Sequence, residues 1–423
     1  MRPVETRGRV LGRSLVTALA SAVWILAGCP PTDVDPCLHQ VSSDGFGDAK
    51  NRYAWSMKEF ASTLYVGTLN TIDASATPDG EPLATAPGDP RDATEGTQIW
   101  RFDGTAWTNV VSAGFGDLGN EGARNLEVFR GALYAGTLNV TTGAEVWQSD
   151  DGLAWTQVNP DGFGNPANTS VRGMTVWRDR LWVGTVNQQG AEVWSYDGTT
   201  WTNAAAGGIG DPTNDTVADL FAFEDRLYAG TWNEGGAQLH RFDGTSWEQL
   251  VGPTAALGPG FGDAANTGIF TILDFHGALY VSTRNFVEGF SVWRSADLGA
   301  TWQRVVANGF SDPRQRYGWR MHVHDGQLYL GTWVSTTGSD AFRVGGRLYR
   351  TSDGTSWVQE VGPFGTLAPP GIGDDLNYGI RTFESFQGSL HIGTAQCFFC
   401  DFPVTGLEVW RRDSSCPGSS PTG

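Results

Sequence analysis

A five-residue phrase, leucine-aromatic-any-glycine or serine-threonine, occurs seven times along this 423-residue chain. It reads Leu64-Tyr65-Val66-Gly67-Thr68 in its first copy, and His391 replaces the aromatic residue in the last. The copies lie 46 to 69 residues apart and start at Leu64, Leu133, Leu181, Leu227, Leu279, Leu328 and Leu390. Repeats of about this length that are rich in Trp, Gly and β-forming residues are typical of radially repeated β-sheets. The sequence therefore predicts an all-β fold, a seven-bladed β-propeller with four-stranded blades.

Each repeat divides into four short apolar runs separated by turn residues. In the third copy these runs are 171–177, 181–186, 191–196 and a last one that opens at Trp201. Runs of β-branched and aromatic residues between Gly, Asp and Asn indicate strands and hairpins. A second phrase, Gly-Phe/Ile-Gly/Ser-Asp/Asn, lies between copies, and its glycines permit a sharp crossing to the next repeat.

The two ends of the chain predict how the ring closes. The last copy reaches residues 409–413 without a fourth strand, and residues 38–47 resemble residues 155–164 position for position. We therefore expect the N-terminal strand to complete the last blade. This closure removes an open sheet edge that would otherwise promote aggregation.

The first residues carry a targeting signal. Arginines precede an apolar stretch at 15–26, and Leu26-Ala27-Gly28-Cys29 follows. This resembles a bacterial lipoprotein signal peptide, which implies lipidation of Cys29; an ordinary signal peptide or an anchor helix is the alternative. We expect residues 1–28 to be the signal peptide, 29–36 a tether, 37–416 the propeller and 417–423 a disordered tail. Pro30 in place of Asp favours the outer membrane of the cell envelope.

Four further cysteines allow three pairings. The strand alignment places Cys37 and Cys416 at one hairpin tip of the last blade, so we expect them to form a disulfide. Cys397 and Cys400 then form a local disulfide within Cys-Phe-Phe-Cys. A redox or metal site is the alternative, but no second Cys or His pair stands nearby.

The formal charge of −18 comes from 46 acidic and 28 basic residues. A chain this acidic is a poor candidate for binding nucleic acid or anionic membrane surfaces. We expect a monomer that contacts the membrane through its lipid.

A family resemblance lies in the turn between the third and fourth strands. Residues 295–302 read Ser-Ala-Asp-Leu-Gly-Ala-Thr-Trp and resemble the Asp-box of sialidase-like propellers, with shorter relatives in most repeats. The resemblance implies a structural turn in which Asp accepts N–H bonds and Trp packs between sheets. In that family the box lies on the face opposite the active site. Sialidases, xyloglucan-cleaving hydrolases, sorting receptors and photosystem assembly factors share the motif, so the fold alone does not select a function.

A sialidase-like or other glycoside hydrolase or lyase is one alternative function. Arg124, Arg172 and Arg381 occupy the same register at strand starts, as the three sialidase arginines would. The Phe-Arg-Ile-Pro motif is absent, however, and no Tyr–Glu nucleophile pair can be assigned. No cofactor is expected, and Ca²⁺ at the repeated Asp and Asn loops is the alternative to their role as turn residues.

The favoured prediction is a lipid-anchored propeller that binds a glycan or protein ligand rather than an enzyme; a scaffold or assembly factor is a further alternative. Three long loops, at 71–96, 333–346 and 396–406, fall in blades one, six and seven. We expect the site in this sector of one face, where aromatic and arginine side chains suit sugar rings and acidic groups. The alternative is that Trp55 and Trp319 fill the central channel. The candidate ligand-binding residues are Arg52, Tyr53, Trp55, Arg316, Tyr317, Trp319, Trp333, Arg381, Phe398 and Phe399.

Overall fold

The computed structural model describes residues 33–70, 95–335, 343–396 and 404–416. The predictions for the leader, for lipidation at Cys29, for the Cys397–Cys400 disulfide, for Phe398 and Phe399 and for the tail lie outside these residues. No helix in the described ranges is long and apolar enough to cross a membrane.

Twenty-eight short strands make up the fold within these described ranges. In the first half of the chain they are β1 (Leu38–Gln40), β2 (Asn51–Phe60), β3 (Thr63–Asn70), β4 (Ile99–Phe102), β5 (Trp107–Val111), β6 (Gly122–Phe129), β7 (Ala132–Leu138), β8 (Val146–Ser149), β9 (Thr156–Gln157), β10 (Ser170–Trp177), β11 (Arg180–Val186), β12 (Val193–Tyr196), β13 (Trp201–Ala205) and β14 (Thr216–Phe223). In the second half they are β15 (Arg226–Trp232), β16 (Leu239–Phe242), β17 (Trp247–Val251), β18 (Asn266–Phe275), β19 (Ala278–Asn285), β20 (Val292–Ser295), β21 (Gln303–Val306), β22 (Gln315–His324), β23 (Gln327–Val334), β24 (Leu348–Thr351), β25 (Val358–Val361), β26 (Gly379–Phe386), β27 (Ser389–Ala395) and β28 (Val409–Arg412).

Strands pair antiparallel in sequence order within each repeat, which we call a unit. Unit one is β2 to β5, and the units continue in fours to unit seven, which is β26, β27, β28 and β1. The repeated Leu-aromatic phrase forms the second strand of every unit, and its leucine is completely buried in each copy. The four apolar runs that the sequence predicts in each repeat are thus four strands.

The predicted seven-bladed propeller of separate four-stranded blades is wrong. A further residue pair joins the second strand of each unit to the first strand of the next, and β27 is joined in the same way to β2. The 14 first and second strands therefore close into one antiparallel barrel, and 14 outer strands extend it into a single 28-stranded sheet. Glycine occupies the joining position in units two, five and seven (Gly122, Gly268 and Gly379), where a missing side chain permits close approach.

The two chain ends meet as the sequence predicts. β1 pairs with β28 in the register Leu38 to Arg412 and Gln40 to Trp410. The disulfide between Cys37 and Cys416 lies beside this pair, and the amide of Asp413 donates to the carbonyl of Cys37 over 3.1 Å. The predicted Cys37–Cys416 bridge and the role of the N-terminal strand are confirmed.

Short helical turns formed by the second phrase connect most units. They are the 3₁₀ turns Asp44–Gly47, Ala113–Gly116, Asp161–Gly164, Pro259–Gly262 and Pro370–Gly373 and the α-helical turn Asn308–Ser311. The aromatic residue of the phrase adopts a positive φ, 59° at Phe163, and stacks on Trp194 with ring centroids 5.0 Å apart. Stacking between aromatic rings stabilises this strained backbone.

Candidate functional site

A cavity of about 280 Å³ lies at the centre of the barrel, lined by side chains from the first strand of all seven units. Five basic and two acidic side chains line it: Lys58, Arg124, Arg172, Arg320, Arg381, Glu127 and Glu384. The chain as a whole carries a formal charge of −18. The centre of the barrel is therefore a positively charged region in an acidic protein.

A β-bulge at the same position of every first strand shapes the floor of this cavity. The pairing with the second strand skips one residue in each unit, for example between Ala54 and Ser56. We call the skipped residues the bulge residues: Trp55, Arg124, Arg172, Ala218, Phe270, Trp319 and Arg381. All of them except Trp319 line the cavity. Bulges redirect side chains in this way and are frequent next to functional sites.

Stacking on tryptophan rings holds the three bulge arginines. The guanidinium of Arg124 lies 4.6 Å from the ring centroid of Trp55, and that of Arg381 lies 5.0 Å from Trp319. Arg172 lies 3.5 Å from the ring of Trp232 in the next unit. Each arginine is at most 8% exposed. Cation–π contacts of this kind are strongest where water is excluded, so the three guanidinium groups are preorganised.

Three residues after the bulge, four units present ionisable side chains at one level. We call Lys58, Glu127, His322 and Glu384 the ionisable layer; they pair with equivalent residues of the second strands. Lys58 Nζ forms an ion pair with Glu127 Oε1 at 2.6 Å. In units four and five the same position holds Phe221 and Leu273. At this level one side of the barrel is therefore charged and the opposite side apolar.

Burial shifts the pKa of two members of this layer. Desolvation raises the pKa of the Glu384 carboxyl to about 7, although Lys58 nearby opposes the shift. Desolvation also lowers the pKa of His322 to about 3, with a further contribution from His324. His322 is therefore neutral at physiological pH, and its Nε2 lies 2.9 Å from Ser385 Oγ.

A second cavity of about 330 Å³ adjoins the first on the apolar side. The two share the lining residues Glu127, Met174, Arg320, Met321 and His322. Arg320 lies at their junction, 3.7 Å from the buried carboxylate of Asp219. Burial raises the pKa of Asp219, and the amide of Ile272 donates to its Oδ2 over 2.7 Å.

Five of the residues that the sequence selects for ligand binding meet in one buried cluster. Tyr53, Trp55, Tyr317, Trp319 and Trp333 are 2 to 3% exposed and pack together with Trp232, Phe270 and Tyr378. Ring centroids of Tyr53 and Trp319 are 5.7 Å apart, and those of Tyr317 and Trp333 are 4.2 Å apart. These rings lie inside the barrel rather than on a rim, in agreement with the alternative in which they fill the channel.

The other selected residues are dispersed. Arg381 lines the central cavity, whereas Arg52 and Arg316 do not. Both of these arginines are half-buried, and burial lowers the pKa of each. Ligand binding at Arg52, Arg316 and the aromatic cluster stays a prediction.

Sequence reasoning missed Lys58, Glu127, Arg320, His322 and Glu384. They belong to no motif, and each lies on the first strand of its unit, which varies more than the Leu-aromatic strand. A signal was nonetheless present, because aligned repeats show charged residues at a position that holds Phe221 and Leu273 elsewhere. A charged residue at a first-strand position that faces the inside of the barrel indicates that this interior contains water.

The Asp-containing turns between third and fourth strands lie at the end of the barrel toward which the cavity extends. The ionisable layer is closer than the bulge residues to the turn joining first and second strands, and strand order places the Asp turns at that same end. Asp297 accepts hydrogen bonds from Thr301 N at 2.9 Å and Thr301 Oγ1 at 2.6 Å, and these bonds lower its pKa to about 2. The predicted role of this Asp as an acceptor of a turn N–H bond is confirmed. The second strands end at the other end of the barrel, and most of the loops at 71–96, 333–346 and 396–406 that follow them fall outside the described residues.

Within the described ranges, no group of three or more His, Cys, Asp or Glu could hold a metal ion. The Asp side chains of several connecting loops accept hydrogen bonds from an asparagine at the end of a second strand. Asn139 Nδ2, for example, donates to Asp117 Oδ2 over 3.0 Å.

No protein-family model matches the chain, and no curated protein matches it. Among solved structures, the chain is similar to the extracellular domain of BT4673 from B. thetaiotaomicron, named as a one-component system, with 15% identity and a TM-score of 0.53. It is also similar to the extracellular domain of BT3049 from the same organism, named as a hybrid two-component system, with 12% identity and a TM-score of 0.50. These alignments cover 88% and 85% of this chain and 40% of each of those chains.

The chain therefore has a β-rich fold that also occurs in extracellular domains, and it spans about 40% of the length of those two chains. A sialidase from Trypanosoma rangeli aligns over 90% of this chain and 59% of its own, with 10% identity and a TM-score of 0.44. That similarity is too low to support an argument about the site.

Proposed function

We propose that this chain is an extracytoplasmic binding domain whose central cavity takes a small anionic ligand. The observation that carries the proposal is the set of three buried bulge arginines, Arg124, Arg172 and Arg381, which face one cavity from units two, three and seven. Planar guanidinium groups bind carboxylates and phosphates through paired N–H donors. Held in place by stacking, they lose little conformational freedom when a ligand binds.

The charge distribution supports an anion. Five basic side chains outnumber two acidic ones in the lining, and one of those two, Glu384, has a pKa raised to about 7. Clefts with low-dielectric walls focus the local field, so a cationic interior attracts anions even in a protein whose net charge is negative.

Titration calorimetry of the purified chain tests the proposal. The anionic probes are glucuronate, 3-phenylpropanoate and inorganic phosphate, and the neutral probes are glucose and 3-phenylpropanamide. We expect at least one anion to bind at least 10-fold more tightly than its neutral counterpart. Arg172→Gln should weaken that binding at least 10-fold, because a buried charge-assisted contact is lost.

The matched control is Arg304→Gln, which removes one positive charge from an exposed position on β21. Its affinity should equal that of the unmodified chain. Equal binding of anionic and neutral probes, or equal losses in the two variants, would refute the proposal.

A glycoside hydrolase is a second candidate, favoured by two carboxyl groups in the same cavity. Glu384 has the raised pKa of a general acid, and Glu127 is the carboxylate of an ion pair with Lys58. Most glycoside hydrolases use two carboxyl groups whose different environments give them different pKa values. Glycosides of methylumbelliferone would be the substrates, and Glu384→Gln should abolish turnover while exposed Glu224→Gln leaves it unchanged. Absence of turnover by the unmodified chain excludes this candidate.

We also propose that the protein is anchored to the cell envelope, in the outer membrane, through lipid on Cys29. The leader motif supports this location, and a disulfide such as Cys37–Cys416 suits an oxidising compartment. Cys29→Ser should move the protein from the membrane pellet to the soluble fraction of lysed cells. A variant that stays in the pellet would exclude lipidation as the anchor.

A further inference from the structure

The second cavity has an apolar lining, which suits a hydrocarbon or aromatic group better than a sugar acid. Its apolar lining includes Leu220, Phe221, Ile272 and Leu273, from two of the three units that contribute no charge to the ionisable layer. Phe221 is half-buried, and neighbouring Val323 is 39% exposed. Apolar surface facing a cavity favours a ligand that covers it with hydrocarbon or an aromatic ring.

One polar atom in this cavity lacks a partner. Oδ1 of Asp274 is buried and has no hydrogen-bond partner among the described residues. A carboxylate oxygen in that state carries a desolvation cost that a donor would remove. Asp274 lines the second cavity but not the first, so a ligand donor would reach it at the end remote from the bulge arginines.

The spacing along the strands fixes the length of such a ligand. Arg320 and Thr271 hold equivalent positions in their units, each directly after the bulge residue, and Asp274 lies three residues beyond Thr271 on the same strand. At about 3.3 Å per residue the two levels are roughly 10 Å apart. This matches an aromatic ring with a short carboxylate-bearing chain at one end and a hydroxyl at the other.

We infer that the ligand is a hydroxylated aromatic carboxylic acid of hydroxyphenylpropanoate size. Its carboxylate contacts Arg320, which lines both cavities, its ring lies against Phe221 and Leu273, and its hydroxyl donates to Asp274. The inference rests on the proposed function, because it assigns the anionic group to the same cavity.

Calorimetry with three probes tests the inference: 3-(4-hydroxyphenyl)propanoate, 3-phenylpropanoate and glucuronate. We expect the hydroxylated acid to bind at least 10-fold more tightly than glucuronate and about 5-fold more tightly than the acid without the hydroxyl. Phe221→Ala should weaken both aromatic acids at least 5-fold.

Asp274→Asn isolates the hydroxyl contact. We expect this variant to remove most of the preference for the hydroxylated acid while leaving the affinity for 3-phenylpropanoate within 2-fold. Exposed Glu224→Gln, at the same end of the barrel, is the control and should preserve the preference. Thermal unfolding of each variant confirms that it folds.

The outcomes separate this inference from the proposed function. Tighter binding of glucuronate or phosphate than of either aromatic acid would overturn the inference and leave anion binding intact. A hydroxyl preference that persists in Asp274→Asn would overturn the role of Asp274. Binding of no anionic probe would overturn the inference and the proposed function together.

Discussion

One side chain in several units accepts hydrogen bonds from both an asparagine and an indole. Glu408 Oε2 accepts from Asn377 and from Trp410, each over 2.7 Å. In unit one Gln98 Oε1 has the same role, with Asn51 at 3.0 Å and Trp100 at 2.8 Å. A neutral amide and a carboxylate thus satisfy the same two donors. The difference between them is the charge that the carboxylate must bury.

Glu408→Gln should stabilise the protein at alkaline pH. Burial raises the pKa of Glu408 to about 7, so the folded state binds the proton more tightly than the unfolded state, in which the pKa is near 4.5. Stability from this group is complete below pH 4.5 and is lost as the pH rises through 7. We expect the free energy of unfolding of Glu408→Gln to exceed that of the unmodified chain by about 1–3 kcal/mol at pH 8, and to equal it at pH 4.5.

Urea unfolding at the two pH values measures this difference. The control is Glu248→Gln, because the Glu248 side chain is 61% exposed and its loss should give no pH-dependent gain. If Glu408→Gln were less stable than the unmodified chain at pH 8 and equally stable at pH 4.5, the ionised carboxylate of Glu408 would be stabilising the folded state.

The bulge residues show how far single positions can be read from the sequence. Arg124, Arg172 and Arg381 share a register that the repeats display, and the structure brings them into one cavity. Trp55 and Trp319 occupy the equivalent position, and the sequence selects them as ligand-binding residues with channel filling as the alternative. Whether a bulge residue faces solvent or core depends on packing across the ring, and a linear pattern contains no information about it.

Tryptophan in one unit packs on glycine in the next. A Cβ atom added to Gly122 would lie 1.9 Å from a ring atom of Trp55, and one added to Gly379 would lie 2.1 Å from a ring atom of Trp319. Both distances are steric overlaps. The same glycines form the residue pairs that join successive units. This contact therefore couples the shape of the aromatic cluster to the closure of the barrel.

Gly379→Ala should destabilise the protein. The new methyl group overlaps Trp319, which is 3% exposed and cannot move without disturbing the aromatic cluster. Overpacking of this kind costs about 1–3 kcal/mol. Urea unfolding measures the loss of stability. The control is Gly258→Ala, because Gly258 has a φ of −58° and a Cβ atom added there would lie 4.0 Å from the nearest atom. Equal stabilities of the two variants would mean that Trp319 has room to shift.

The connecting turns were only partly predictable. The sequence assigns their sharp bend to glycine, and Gly162 indeed has a φ of 55°. The adjoining Phe163 also adopts a positive φ, which its aromatic side chain would not suggest. Stacking of Phe163 on Trp194 offsets the cost of this backbone conformation, and Trp194 lies in a distant part of the repeat. Local propensity fails where a tertiary contact decides the backbone conformation.

The number of repeats, their four strands and the meeting of the chain ends were accessible from the sequence, because each leaves a local pattern. The continuous barrel was not. One residue pair per junction creates it, and the residues involved range from Leu69 and Gly122 to Arg284 and Tyr317. No residue type is shared by all seven junctions. Pairing between units therefore follows from the geometry of the ring rather than from a sequence motif.

The disulfide should hold the closed ring together. It links residues 379 positions apart, and β1 has only three residues paired with β28. Replacing both Cys37 and Cys416 by Ser should lower the free energy of unfolding by about 2–5 kcal/mol, because the bridge restricts the unfolded chain. Hydrogen exchange should also become faster in β1 than in β2, since a short terminal strand opens locally. Reductant should reproduce both effects in the unmodified chain and should not further accelerate exchange in β1 of the double variant. Unchanged stability would show that strand pairing alone closes the ring.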